Sequence, residues 1–364
     1  MSDEVHLDLA GHPVRITSHD KVFFPRRGET KLDLVRYYEA VAEPLMATMG
    51  GRPVLLERYP DGARGKSFWQ KRVPKGAPEW LRTTTVQTVN GTPSNAMVAA
   101  DIAHVAWAVN MGCLGFHVWP LHVDDRDDVL TFPDRSTSRI EHPDIDVEQW
   151  GGVDEREIAD ELRIDLDPTP TIGFDEARAA ARLLQELLEE LDIAAFPKTT
   201  GKRGIHVYVR LEPRWDSYEV RAAAVALARE LERRHPETVT AAWWKEERGP
   251  RVFVDYNQNA PHKTVFGAWS VRAKVGGQVS TPFAWEDLDR IDPDELTIET
   301  VPRRLAADGD PWAAMYDAPQ SLDVLLDMHD ADMAAGLMDA PWPPVYPKMP
   351  NEPSRVSPSR ARKD

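Results

Sequence analysis

The chain has 364 residues, 42% of them hydrophobic, a formal net charge of -16 and a single cysteine, Cys113. That content supports a large core, the charge argues against a protein that coats nucleic acid by bulk electrostatics, and one cysteine excludes an internal disulfide or a Cys-x-x-Cys zinc site. No apolar run reaches the length of a membrane span and the start, Met1-Ser2-Asp3-Glu4, carries no secretory signal, which predicts a cytoplasmic protein without a membrane partner.

Lys21 to Lys75 holds twelve Lys and Arg against six Asp and Glu, a local +6 in an acidic chain. Within it Thr30 and Asp33 are spaced as a capping box ahead of a helix whose apolar face is Leu34, Tyr38, Val41 and Leu45. A helix N-terminus presents free N–H groups and partial positive charge, so Lys21 and Lys31 at this end predict an anion pocket. Phe68 and Trp69 lie among Arg64, Lys66, Lys71 and Arg72, surroundings that favour a nucleic-acid contact over a core position. Ile102, Val105, Ala106 and Val109 predict a further helix, and Met111-Gly112-Cys113-Leu114 a buried packing thiol. Residues 124 to 161, which include Asp124-Asp125-Arg126-Asp127-Asp128, read as an acidic connector between two lobes.

Three short strands follow: Leu162 to Asp167, Gly204 to Val209 and Arg251 to Asn257. Period-two alternation puts Leu162, Ile164 and Leu166 on one face and Asp165 and Asp167 on the other, with His206 opposite Ile205 and Val207, and Asp255 opposite Val254 and Tyr256. Neighbouring in one sheet, they would put three carboxylates and a histidine on one face. Two unit charges at ~4 Å repel by roughly 4 kcal/mol at an effective dielectric of about 20. A divalent cation relieves that cost, and all-oxygen ligation suits Mg²⁺ or Mn²⁺, two of which can clamp a phosphoryl transfer. Two helices separate the strands: one opens at Phe174-Asp175-Glu176 and buries Leu184, Leu187, Leu188 and Leu191, the other is capped by Asp216 and Glu219 and buries Val220, Ala223, Leu227 and Leu231. This order is the split βαβ pattern of ferredoxin-like and RNA-recognition folds, an α+β architecture.

Thr200-Gly201-Lys202-Arg203-Gly204 offers backbone N–H groups, a hydroxyl and two cations to a triphosphate. It is not a Walker A loop, because Arg203 stands where Ser or Thr must follow Gly-Lys and Phe196 replaces the first glycine. Residues 341 to 364, rich in Pro, Ser and basic residues, predict a disordered tail.

With Asp165-x-Asp167, then Thr199-Thr200-Gly201-Lys202-Arg203-Gly204-Ile205-His206, then Phe253-Val254-Asp255-Tyr256-Asn257-Gln258-Asn259 in this order, the chain resembles the polymerase domain of bacterial LigD, a branch of the archaeo-eukaryotic primase superfamily. The resemblance runs from about Val14 to Asp330 and takes in Asp20-Lys21-Val22 with Lys31, Ser67 to Lys71, Phe116-His117-Val118, Lys263-Thr264 and Ser270-Val271-Arg272. It implies one domain over residues 1–335, with an N-terminal α/β lobe to about 160, a catalytic core over about 161–300 and a helical segment to about 335. It implies further that Asp165, Asp167 and Asp255 bind two divalent ions, Mn²⁺ or Mg²⁺, and that the enzyme adds nucleotides, preferably ribonucleotides, to a primer end. By the same resemblance Thr200, Gly201, Lys202, Arg203, Gly204, His206, Gln258, Lys263, Ser270 and Arg272 bind the nucleotide. His117 lies at the primer terminus, Ser18, Lys21 and Lys31 hold a DNA 5′-phosphate, and Phe68 and Trp69 stack on template bases.

The family often has Asn where Ser18 stands, Lys where Arg203 stands and Phe where Trp69 stands, and the chain lacks the Lys-x-Asp-Gly signature of a ligase. The implied enzyme is a stand-alone primase-polymerase of the kind called Prim-PolC, filling short gaps in DNA with NTP or dNTP, with sealing left to a ligase in trans. The alternative is a polymerase for non-homologous end joining that works with a ligase and an end-binding protein. The loop Gln87 to Met97 would separate the two. More distant alternatives are a Mn-dependent glycosyltransferase, which also uses Asp-x-Asp but has no need of the third acid or the basic region, and a non-catalytic DNA-end scaffold, which would tolerate loss of any one carboxylate.

Overall fold

The computed structural model describes residues 4–87, 92–123, 138–140, 158–274 and 276–355. A hairpin of β1 (Glu4–Leu9) and β2 (His12–Thr17) and a second of β3 (Val22–Phe24) and β4 (Glu29–Thr30) lead into α1 (Lys31–Ala40) and α2 (Ala42–Met49). The Thr30–Asp33 capping box forms as expected, with the Asp33 carboxylate accepting from Thr30 N at 2.7 Å. The single predicted helix is broken at Val41, since Pro44 has no N–H to offer the carbonyl of residue 40. Val41 and Leu45 are nonetheless fully buried with Leu34 and Tyr38.

These helices pack with α3 (Ile102–Asn110) near a six-stranded sheet of β5 (Pro53–Arg58), β6 (Phe68–Gln70), β7 (Thr83–Gln87), β8 (Pro93–Val98), β9 (Cys113–Val118) and β15 (Val265–Phe266). The expected loop from Gln87 to Met97 is largely strand: Pro93–Val98 pairs with both β7 and β5. Cys113 is buried, as its flanks predicted. The expected acidic connector falls almost wholly outside the described residues.

The second sheet has the order β11-β12-β10-β14-β13, from β10 (Glu161–Pro168), β11 (Phe196–Thr199), β12 (Ile205–Arg210), β13 (Val239–Thr240) and β14 (Val252–Asp255). β12 inserts antiparallel between β10 and β11, and β14 adds antiparallel on the other side of β10, which is the predicted split βαβ topology. α4 (Phe174–Glu190) and α5 (Ser217–Arg234) pack on it, and burial along β10 alternates from Leu162, Ile164 and Leu166 in the core to a part-exposed Asp165 and an exposed Asp167. Because β15 crosses back to pair with β9, the two lobes are not sequential halves but share one hydrophobic core.

A buried ionic network sits where β10 leaves the first lobe. Arg52 meets Asp160 at 2.6 Å and Glu161 at 2.9 Å, and Arg163 meets Glu161 at 2.7 Å while donating to the carbonyls of Val118 and Trp119. Burial alone would raise the Asp160 carboxyl, but Arg52, His122 and Arg210 hold it well below the carboxylate range. Such a pair costs desolvation to build, yet removing one partner strands a buried charge.

α6 (Thr300–Asp308) and α7 (Asp323–Ala334) end the predicted helical segment. The expectation of a disordered tail from Pro341 fails for residues 341–355: Trp342, Tyr346 and Met349 are buried with Tyr218 and Ala260 in a small core of their own. Residues 356–364 lie outside the described set. Pro and Ser marked the segment as polar linker, but its spaced aromatic residues give it apolar area to bury. Among the described residues no helix is long and apolar enough to cross a membrane.

Arg52→Met should destabilise the protein by about 3 kcal/mol in denaturant titration, since Asp160 and Glu161 lose a shared counter-charge. A change below about 0.5 kcal/mol would show that the network does not hold the lobes together.

Candidate active site

Across the second sheet the register aligns Lys198 with His206, His206 with Asp165, and Asp165 with Asp255. Residues directly opposite share a face, so one polar row crosses four strands, with Asp167 one step along β10 on the same side. Lys198 Nζ lies 2.9 Å from His206 Nδ1, 2.9 Å from Phe266 O and 2.6 Å from Ser280 Oγ, and burial lowers its pKa well below the ordinary lysine value. His206 Nε2 faces Asp165 Oδ1 at 3.3 Å. Burial, reinforced by Lys198 and Arg272, lowers the His206 pKa well below its ordinary value and keeps the ring neutral.

Burial pushes the Asp165 carboxyl up to about 6, against the pull of Lys198 and Arg272. Asp255 is likewise raised to about 6 by burial and by Asp165, and Asp167 is raised by burial and by Asp165. Three acids therefore stand on one face with too little positive charge among them. The Gln258 side chain is between two of them, its Nε2 donating to Asp255 Oδ2 at 2.8 Å and to Asp165 Oδ2 at 3.3 Å. As they stand, no three His, Cys, Asp or Glu groups among the described residues converge to hold a metal. The donor set nevertheless fits a hard divalent cation: all its ligand atoms are oxygens, its carboxylates repel, and a neutral amide bridges two of them where a cation would satisfy both.

The turn at 200–204 joins β11 to β12 beside this row. Thr200 Oγ1 accepts from Lys202 N at 3.3 Å and Gly204 N at 3.2 Å, so the hydroxyl first braces the turn and keeps only its hydrogen to donate. Gly201 is left-handed at φ +70°, and a Cβ there would meet Arg272 Cγ at 2.7 Å; at Gly204 it would meet Leu166 O at 2.7 Å. Arg272 donates from Nε to Thr200 O at 2.7 Å and stacks on the Phe266 ring at 3.4 Å. Burial pushes its guanidinium down to about 10 despite Glu57 and Asp165, and burial with Arg272 lowers Lys202. Two cations held together in part-dry surroundings make an anion site. Arg203 is exposed and donates to the carbonyls of Ile172 and Pro168, whereas Ser270 is fully buried and does not stand at an open position. Lys263 faces Asp255 closely enough to lower its carboxyl.

From the other sheet, His117 on β9 reaches toward the row. Its Nε2 lies 3.7 Å from Glu57 Oε2, and its ring packs edge-on against Trp69 at 4.6 Å and Phe266 at 5.1 Å. Burial lowers the His117 pKa, Glu57 opposing. Phe68 and Trp69 are 47% and 48% exposed on β6, which makes them a surface platform and not core. Trp69, His117, Gln258 and Lys263 line a cavity of about 270 Å³ with Leu55 and Trp119.

A family model described as "LigD, primase-polymerase domain" matches residues 30–312. The chain belongs to the LigD primase-polymerase domain family. It is 30% identical over 82% of its length to the "Multifunctional non-homologous end joining protein LigD" of Mycobacterium bovis, and 30% identical over 85% to the "Bifunctional non-homologous end joining protein LigD" of Bacillus subtilis. It spans only 36% and 45% of those proteins. The polymerase domain of Mycobacterium tuberculosis Ligase D in complex with DNA superposes with a TM-score of 0.70 at 27% identity, covering 84% of this chain and 98% of that one. The fold is thus the primase-like α+β architecture, and the family is one of DNA-directed nucleotidyltransferases.

For a LigD-family chain, the anion pocket expected at α1 is altered. Its first three N–H groups are already bonded, Lys31 N to Lys21 O, Leu32 N to His19 O and Asp33 N to Thr30 Oγ1. Lys31 is 6% exposed, its Nζ donating to Thr17 O at 2.6 Å and Asn110 O at 3.1 Å, so it braces the bend that carries Ser18 instead of facing solvent. Ser18 takes a left-handed φ of 47° in that bend. Lys21 is the accessible cation, held by Pro60 O at 2.7 Å and Asp61 at 2.9 Å. Two site residues escaped the sequence reading. Lys198 was legible in principle, since a five-residue turn between β11 and β12 sets it opposite His206; Glu57 had no signal of its role, because its partners His117 and Arg272 meet it only in three dimensions.

The raised carboxyls give a stability prediction. With folded values near 6 against about 3.9 in the unfolded chain, the folded state binds the extra protons, so the metal-free protein loses stability as pH rises through this window and carries the full penalty above 6. Mn²⁺ at saturating concentration should therefore raise Tm at pH 8, by about 4 °C, and much less at pH 5. Asp255→Asn should raise the metal-free Tm and abolish the gain. A Tm insensitive to Mn²⁺ at pH 8 would remove the cation site.

Proposed function

We propose that this chain is a divalent-metal-dependent, template-directed polymerase that adds nucleotides, ribonucleotides by preference, to a DNA primer end and fills short gaps. The observation that carries it is the polar row: Asp165 and Asp255 face to face, Asp167 beside them, and a cationic turn at 200–204 one strand away. Divalent ions held by these three acids would neutralise their charge and favour in-line attack of a primer 3′-hydroxyl on the α-phosphate, which breaks the α–β phosphoanhydride bond and releases pyrophosphate. Lys202 and Arg272 bind the triphosphate, Lys263 adds charge near Asp255, and His206 presents Nε2 to the metal-binding carboxylate and keeps it aimed. Gln258 must release at least one carboxylate when cation binds. Phe68 and Trp69 stack on template bases, each worth ~1–3 kcal/mol without sequence preference. His117, between Trp69 and the row, meets the primer terminus in this reading.

Break-end joining is the second reading, favoured by the names of the relatives above, and would require a ligase and an end-binding protein as partners in trans. It uses the same centre on a different DNA substrate. A cytoplasmic setting suits either.

Primer extension on gapped and overhang DNA tests the proposal. Asp165→Ala, Asp167→Ala and Asp255→Ala should each lower nucleotide addition at least ~10³-fold while DNA affinity holds within a few-fold. Addition by any of them near the wild-type rate contradicts the metal assignment. Ribonucleotide preference should appear in kcat/KM, and equal use of deoxyribonucleotides removes that part of the reading.

The revised basic end makes a separate prediction. Lys21→Ala should remove most of the affinity difference between gapped DNA with and without a 5′-phosphate, and the salt dependence should weaken by about one phosphate contact. Lys31→Ala should lower Tm and disturb phosphate preference only through the displaced bend. If Lys21→Ala retains the full 5′-phosphate effect, this lysine is not its receptor.

A further inference from the structure

The turn Tyr256–Asn259, between β14 and β15, carries two parts of the centre at once. Asn257 N donates to Asp255 Oδ1 at 3.0 Å, and Gln258 bridges Asp255 and Asp165. One end of the turn is tied to the sheet, where Asn259 accepts from Arg163 N at 2.8 Å and donates to Arg163 O at 2.7 Å. The other end is held from outside. Asn257 Oδ1 accepts from Arg221 Nε at 2.8 Å, and Asn257 Nδ2 donates to Pro341 O at 3.1 Å.

Arg221 is a fully buried cation on α5 with nearly all its donors used: Asn257, Asp339 at 3.0 Å and Ala340 O at 2.8 Å. Its guanidinium lies 3.8 Å from the centre of the Trp342 ring and 5.4 Å from that of Tyr256. The C-terminal stretch that supplies these partners is itself closed. Asp339 N donates to Asn351 O, Glu352 accepts from Trp342 N and Met349 N at 3.1 Å each, and Tyr346 Oη donates to Pro261 O at 2.6 Å. All of this follows residue 312, where the family match ends.

We propose that residues 339–355 form a strap that, through the positioning residue Arg221, locks the Tyr256–Asn259 turn and thereby aims Asp255 and Gln258. Neither Arg221 nor any residue of the strap touches the reacting groups. Arg221 clamps Asn257 by its side chain, and Asn257 by its backbone N–H fixes one oxygen of Asp255, leaving the other to Gln258. The strap adds an aromatic lid over the guanidinium and a second tether at Pro261. A rigid ligand loses less freedom when it takes a cation, so the strap favours metal binding and the productive orientation of Asp255. The inference rests on the metal-centre reading above.

The test uses the full chain with Trp342→Ala, Trp342→Phe and Tyr346→Phe. The first removes the ring over Arg221 together with the Nε1 hydrogen bond to Asp339, the second loses that bond but keeps an aromatic face, and the third removes the hydroxyl that bonds Pro261 O. Three readouts are needed: amide hydrogen exchange over 256–261, Mn²⁺ affinity by calorimetry, and primer-extension kcat and KM. Trp342→Ala should speed exchange at 256–261 at least tenfold over the rest of the sheet, weaken Mn²⁺ about tenfold, and lower kcat with KM for nucleotide nearly unchanged. Trp342→Phe should recover most of this, and Tyr346→Phe should show a smaller change of the same kind. Lowered Tm with unchanged exchange at 256–261 and unchanged Mn²⁺ affinity would overturn the proposal, as would equal protection in all variants. Should Trp342→Ala fail to fold, Tyr346→Phe decides on the same readouts. If the wild type binds Mn²⁺ yet adds no nucleotide, the functional reading fails, and exchange and Mn²⁺ affinity still judge the strap.

Discussion

The antiparallel register of β10 with its two neighbours is the constraint on which the site depends. It places Asp165 directly between His206 and Asp255, and the hairpin β11–β12 extends the row to Lys198. A slip of one residue in either pairing would send the acids into the core beside Leu162 and Ile164. The apolar side of the same strands, buried under α4 and α5, therefore specifies the polar side. Burial and mutual repulsion raise the carboxyls of this row, which makes it costly to hold without a counter-ion.

Much of this was legible in the sequence. Alternation in Leu162 to Asp167 gave the shared face of the two acids, capping residues Thr30, Asp33, Asp216 and Glu219 located two helix starts, and the order of segments predicted the split βαβ sheet. Each of these signals is local or has a fixed period. The failures needed information that period does not carry. Lys31 reads as half of an anion pocket at a helix end, but two carbonyls from distant turns capture it. Ser270 reads as a phosphate contact by its motif, yet the packing around β15 buries it. Pro341 to Arg355 reads as linker by composition, although Trp342 and Tyr346 find an apolar seat on α5 that only the folded chain creates.

The two lobes play unequal parts. The second sheet supplies the acids, His206, Lys198 and the turn at 200–204, while the first supplies His117, Glu57, Phe68 and Trp69. Their alignment is set by the short crossing at β15 and by buried ion pairs around Arg52 and Arg163. Arg163 joins these levels, since its side chain binds the first lobe at Val118 and Trp119 while its backbone anchors Asn259 in the turn beside Asp255. Interlobe packing and ligand placement are thus mechanically linked through one residue of β10.

The central claim is that this row is a two-cation centre for nucleotidyl transfer. It is tested most directly by anomalous diffraction from crystals of the protein grown with Mn²⁺, a primed template and a non-hydrolysable nucleoside triphosphate. The account predicts two manganese peaks among Asp165, Asp167 and Asp255, with Gln258 swung away from at least one carboxylate and the triphosphate against Lys202 and Arg272. Peaks confined to other carboxylates, or a bound nucleotide with no metal at this row, would contradict it.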